Sequence, residues 1–149
     1  MKKRTKYIFL AISLAWGAAI TIFTVPNLVA LHEEKISVES VLQSYTDYLI
    51  SGQFAKAYEI CGPDFRSQLA AAKFMEQQEQ LQQKYGLLLS VKRQGIKVSG
   101  TGDPIFWTAQ CSANLKYERA IRRFEFAFRK QDGKWALYGY QEMGSVNRS

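Results

Sequence analysis

The chain has one histidine and two cysteines in 149 residues, and both scarcities exclude chemistry. His32 has no second histidine to share a metal, and Cys61 and Cys111 match no zinc spacing. No metal and no cofactor is therefore expected. Charge is also missing where it matters most. Tyr7 to Leu31 runs for 25 positions without a charged side chain. No sequence repeat is present, so solenoid and propeller architectures are excluded.

The uncharged run is long enough to cross a hydrocarbon core, which takes roughly 20 apolar residues. Gly17 and Pro26 are tolerated in such a helix, and Pro26 is placed to kink or end it. Lys2, Lys3, Arg4 and Lys6 precede the run, and Glu33 and Glu34 follow it. The basic side stays cytoplasmic. The expectation is a single-pass inner-membrane protein with a cytoplasmic tail over 1–6, a transmembrane helix over 7–31 and a juxtamembrane linker over 32–36. The remainder then lies outside the cytoplasm. A cleaved signal peptide fits less well, because the apolar run exceeds the usual signal core and Leu28 is bulky for a cleavage site ending at Ala30.

A formal charge of +7 suggests nucleic acid, but the tail before the span supplies four of those charges. From Glu33 onward, 16 basic side chains face 13 acidic ones, which is an ordinary surface balance. No nucleic-acid partner is expected. The densest basic stretch is Lys116, Arg119, Arg122 and Arg123, continuing to Arg129 and Lys130. It is read either as a contact patch for anionic headgroups or an acidic partner, or as a solvated strand face. Cys61 and Cys111 sit in a part expected to leave the cytoplasm. A disulfide between them is permitted there, and two small buried hydrophobes are the other reading.

Past the span the pattern is first helical. Val38, Val41, Leu42, Tyr45, Tyr48 and Leu49 share one face of a helix over 37–51. Gly52 stops it. A second helix is expected over 53–60, and a third from Pro63 to Tyr85, its middle rich in glutamine and read as a solvated face. The period then becomes two. Leu87 to Val98 is strand-like with an interruption at Gly95, and Ser99 to Pro104 reads as a turn. In Ile105 to Tyr117, Trp107, Ala109, Cys111, Ala113, Leu115 and Tyr117 share one face, and mostly polar residues share the other. Ala120 to Lys130 places Phe124, Phe126 and Phe128 together, Asp132-Gly133 signals a hairpin, and Trp135 to Met143 is the last strand. Residues 144–149 read as a flexible tail. Helices followed by strands predict an α+β fold: three helices packed on a curved antiparallel sheet of about four strands.

The segment Tyr48-Leu49-Ile50-Ser51-Gly52-Gln53-Phe54-Ala55-Lys56-Ala57-Tyr58, followed by Cys61-Gly62-Pro63-Asp64-Phe65-Arg66, resembles the opening of nuclear transport factor 2-like domains. The resemblance extends over 37–143 by element order. It implies a cone in which a curved sheet wraps around helices, in some members with a cavity, and frequent dimerisation through the sheet. That fold serves many functions. An N-terminal anchor with such a domain is similar to the scaffold proteins of type IV secretion machines.

Three functions follow as expectations. The first is a non-catalytic binding or assembly module with a protein partner or a second copy of itself. The second is a site for a small apolar ligand or lipid, for which Tyr45, Tyr48, Tyr58, Trp107, Trp135 and Tyr138 are the candidate lining, unless they are simply core. The third is an isomerase or dehydratase, which needs an acid or base inside the cone. Asp47, Glu59 and Glu125 fall off the apolar faces, so no inward ionisable group is expected and the chain is read as not an enzyme.

Overall fold

The computed structural model describes residues 28–101 and 105–146. The expected basic tail and all but residues 28–31 of the expected span lie outside them. Among the described residues no helix is long and apolar enough to cross a membrane. The chain divides into two compact units, Met1–Glu34 and Lys35–Ser149, and the second holds the sheet.

Residues 28–50 are helical (α1), so the expected linker over 32–36 is helix. From Lys35 onward, Val38, Leu42, Tyr45 and Leu49 are buried, spaced so that one stripe faces the sheet. Thr46 is buried beside them and returns its hydroxyl to the Leu42 carbonyl at 2.9 Å, which satisfies the polar group locally. Gly52, at φ +70°, reverses the chain. Helix α2 then spans Phe54–Ile60.

The single helix expected from Pro63 to Tyr85 is two helices. α3 is Pro63–Gln68 and α4 is Ala71–Tyr85. Leu69 and Ala70 between them are extended, and the Leu69 carbonyl accepts the Tyr58 hydroxyl at 2.8 Å. The break has a packing cause. Phe65 and Phe74 are nine residues apart, and in one continuous helix that separation is about two and a half turns, which points them to opposite sides. The break brings both into one core, with ring centroids 6.1 Å apart and both close to Tyr58 and Tyr140. Good helix formers around Ala70 conceal this, because the reason for the break lies in other elements.

The sheet is an antiparallel meander in the order β1-β2-β3-β4: Leu88–Thr101, Phe106–Tyr117, Ile121–Gln131 and Lys134–Ser145. The α+β class and the four strands match the expectation. Three details differ. β1 continues through Ser99, Gly100 and Thr101, which pair with Thr108, Trp107 and Phe106, so the first half of the expected turn is strand, and residues 102–104 lie outside the described residues. A Cβ at Gly100 would lie 3.0 Å from the Trp107 ring, so glycine here makes room for the indole across the ladder. The interruption read at Gly95 is a β-bulge between Arg93 and Gly95. Gly144 and Ser145, expected as tail, belong to β4, and the Val146 amide donates to the Ile121 carbonyl. Residues 147–149 lie outside the described residues. The Asp132-Gly133 turn has both residues at positive φ, the geometry a two-residue hairpin needs.

One face of the sheet, here called inner, carries Ala109, Cys111, Ala113, Leu115 and Tyr117 from β2 and Phe124, Phe126 and Phe128 from β3, all buried under the helices. The free edge of β4 is partly covered by the α2–α3 connection: Cys61 bridges Leu137, and the Gly62 amide donates to the Leu137 carbonyl at 2.8 Å. No strand among the described residues pairs with the outer edge of β1, which carries Lys92, Arg93 and Lys97 and a bulge, features that discourage strand addition.

Two substitutions test this packing. Phe74 is fully buried, and Phe74→Ala is expected to lower unfolding stability by about 3–5 kcal/mol in a denaturant titration. Ala70 sits at φ −66° after an extended Leu69, a geometry that accepts proline. Ala70→Pro is expected to be neutral or stabilising by about 0.4–1 kcal/mol. A loss near 3 kcal/mol would instead mark a continuous helix.

Candidate functional site

The inner face is filled. The void enclosed by Tyr45, Leu49, Gln78, Tyr117, Phe126 and Tyr140 measures about 10 Å³, roughly the space of one water. Tyr45 stands edge-on to Phe126 at 6.0 Å, and Tyr140 lies near Phe65, Phe74, Phe124 and Phe126. The polar tips are satisfied: Gln78 donates to the Tyr140 hydroxyl at 3.1 Å, and that hydroxyl donates to Gln77 at 3.1 Å. Gln78 is thus a buried member of the glutamine stretch that the sequence suggested was solvated.

The inner face also holds an ionisable pair that the sequence pattern did not reveal. β4 carries bulges at Tyr138 and at Met143. Strict alternation from Trp135 and Leu137 would turn Gly139 and Gln141 inward. The extra residue at Tyr138 turns Tyr140 and Glu142 inward instead, opposite Phe126 and Phe124. Glu142 is gripped by Arg122, which comes from the same face of β3, and accepts the Tyr85 hydroxyl at 3.3 Å. The Arg122 guanidinium also stacks 5.1 Å from the Tyr85 ring. Both contacts fall on one carboxylate oxygen, Oε1, and the guanidinium favours the ionised form of the group.

The six aromatics read as a possible cavity lining are not brought together. Tyr45 is core. Tyr58 caps the break after α3. Trp107 is half-buried beside Gly100. Tyr48 and Trp135 border an open cleft of about 740 Å³ between α1, the α2–α3 connection and the β3–β4 hairpin, where Glu59, Arg66, Asp132 and Lys134 also stand. Tyr138 lies on the opposite, outer face of the sheet. No group of three or more metal-ligating side chains occurs among the described residues.

Cys61 and Cys111 are free and buried. Cys111 is on β2, and Cys61 lies beyond the far edge of β4. Three strand spacings, about 14 Å along the sheet, separate them, well past the roughly 7 Å limit between Cα atoms for a disulfide. Burial pushes the Cys61 thiol up to about 12 and the Cys111 thiol up to about 11, so neither is a ready nucleophile.

The basic patch read along the sequence is divided by the fold. Arg119 donates to the Gln83 carbonyl, and its amide donates to the Tyr85 carbonyl at 2.9 Å, so it caps α4. Arg122 faces inward onto Glu142. Lys116 and Arg123 alone of the four stand exposed on the outer face. The register adds two cations that no local pattern marks. Lys92 pairs with Asn114, which pairs in turn with Arg123, and Lys97 pairs with Gln110. Lys92, Lys97, Lys116 and Arg123 make no ion pair among the described residues. One carboxylate, Glu125, shares the centre of this face.

At the other end of the outer face, Arg129 is held between two rings, 4.2 Å from the Tyr138 centroid and 5.0 Å from that of Phe106. Asp64 at the start of α3 accepts from Arg129 at 2.7 Å and from Gln131 at 3.2 Å, which fixes the guanidinium. Phe106 and Tyr138 nevertheless remain 44% and 38% exposed. Immobilised aromatics around an arginine are the residue types that dominate protein interfaces. No protein-family model matches the chain, and no curated protein is significantly similar to it.

Burial also raises the phenols of Tyr45, Tyr117 and Tyr140, the last to about 12. An acid whose pKa is higher in the folded state keeps its proton longer there than when unfolded. Stability is then intact below the ordinary values of 9 for the thiols and 10 for the phenols, and falls as pH rises above them toward 12. Cooperative alkaline unfolding is expected in that window, with loss of circular dichroism coinciding with tyrosinate absorbance. Ionisation of all eight tyrosines with the circular dichroism intact would mean that these three rings are accessible.

Proposed function

We propose that this chain is a membrane-tethered assembly module. The helix over Tyr7 to Leu31 spans the membrane with residues 1–6 in the cytoplasm, and the domain beyond it binds a protein partner on the outer side without transforming a small molecule. The observation that carries this reading is the filled interior, which leaves about 10 Å³ inside and places the available chemistry on the surface. The order of helices followed by a four-stranded meander supports a nuclear transport factor 2-like domain. A small apolar ligand inside the cone is disfavoured by the same filling. The open cleft beside Trp135 is bordered by Glu59, Arg66, Asp132 and Lys134, a lining better matched to a polar guest.

The test has two parts. A reporter fused after residue 40 is expected to be active only outside the cytoplasm. Crosslinking in intact cells, followed by purification of the full chain in mild detergent, is expected to yield a stable complex with a second protein. A chain that emerges bare, or with a bound small molecule in its place, overturns the assembly reading.

A further inference from the structure

We infer that the outer face of the sheet is the docking surface of this module, and that its occupant is an acidic protein segment that also carries an apolar side chain. The inference rests on the assembly reading above and names the place and the chemistry of the contact.

The helices cover one face of the sheet. The outer face is left with small and hydrogen-bonding side chains at its centre, among them Ser112, Asn114, Gln110 and Ala127. Gly95 has no side chain, and a shallow depression of about 400 Å³ lies there, beside Lys97 and Glu125. Lys92 and Arg123 flank Asn114 one strand away on either side, about 10 Å apart, and Lys116 is two residues along β2. Among the described residues, four exposed cations without ion partners thus share the centre of this face with one carboxylate, Glu125. The other end, about 20 Å away along β2, presents the Phe106–Arg129–Tyr138 stack. Its rings are already immobilised, so an apolar group landing on them loses little further side-chain freedom.

Charge decides the occupant. Two copies meeting through this face would oppose lysines and arginines with each other, and like charges across an interface cost several kcal/mol. A lipid surface would meet the cations but supplies no side chain for the depression at Gly95 or for the aromatic stack, whereas an extended protein segment can supply one for each. An acidic segment also meets the cations.

The experiment places a photoreactive phenylalanine analogue at Gln110 on the outer face, or at Gln80 on exposed α4 as control, in the full chain in intact cells. The expected result is an adduct with a different protein from Gln110, with the crosslinked peptide rich in Asp and Glu. Its yield should fall about ten-fold or more on combining Lys92→Glu, Lys116→Glu and Arg123→Glu, and less with the three glutamine replacements. All three positions are exposed, and an unchanged circular dichroism spectrum separates lost binding from lost folding. An adduct between two copies, a lipid adduct, or a protein adduct insensitive to the charge reversal overturns the inference. A protein adduct from Gln80 alone overturns it while leaving the assembly reading standing. Absence of any protein adduct from either position, together with a bare chain in detergent, removes both.

Discussion

Phe124, Phe126 and Phe128 occupy alternate positions of β3, and each is almost wholly buried. An aromatic ladder of this kind cannot remain in water, since each ring contributes a large apolar area, and the rest of the domain is arranged to cover it. α1 supplies Val38, Leu42, Tyr45 and Leu49. The break after α3 lets Phe65 and Phe74 reach the same core. The bulge at Tyr138 turns the Tyr140 ring inward among them. Each of these features looks arbitrary in its own segment and follows from the need to close over one ladder.

Closing so completely has a functional consequence. Beneath the helices the sheet encloses a void the size of one water, and the one carboxylate turned inward by β4 is held by Arg122 and Tyr85. Such a pair is costly to bury even in part, and the hydrogen bonds it makes offset that cost. The chemistry still available is on the outside, where cations and a clamped aromatic pair are left unmatched. That distribution favours recognition of another macromolecule.

Fold class, the Asp132-Gly133 hairpin and the burial of β2 and β3 were legible because they depend on local signals: a period of two, a turn dipeptide, a run of apolar residues at helical spacing. The helix break at Leu69-Ala70 was not legible, because its cause is the Tyr58 hydroxyl and the aromatic cluster, neither of which is local to the break. The inward position of Glu142 escaped for a related reason. A one-residue bulge reverses the facing of everything after it, and nothing in Tyr138 itself announces that bulge. β1 reached past Gly100 into an expected turn because Trp107 across the ladder fills the space that a side chain would have taken.

The candidate site shows the same division. By itself, the amino-acid sequence determined which residues are apolar, where the period changes from helical to two, that a long uncharged run precedes the domain, and that cations are plentiful near the β2–β3 turn. Only the tertiary structure decided which cations act together. It turned Arg122 inward, used Arg119 to cap α4, and brought Lys92 and Lys97 from β1 beside Lys116 and Arg123. Strand register sets which side chains are neighbours. Register follows from burial of the whole inner face, a property of all four strands together that no single segment contains.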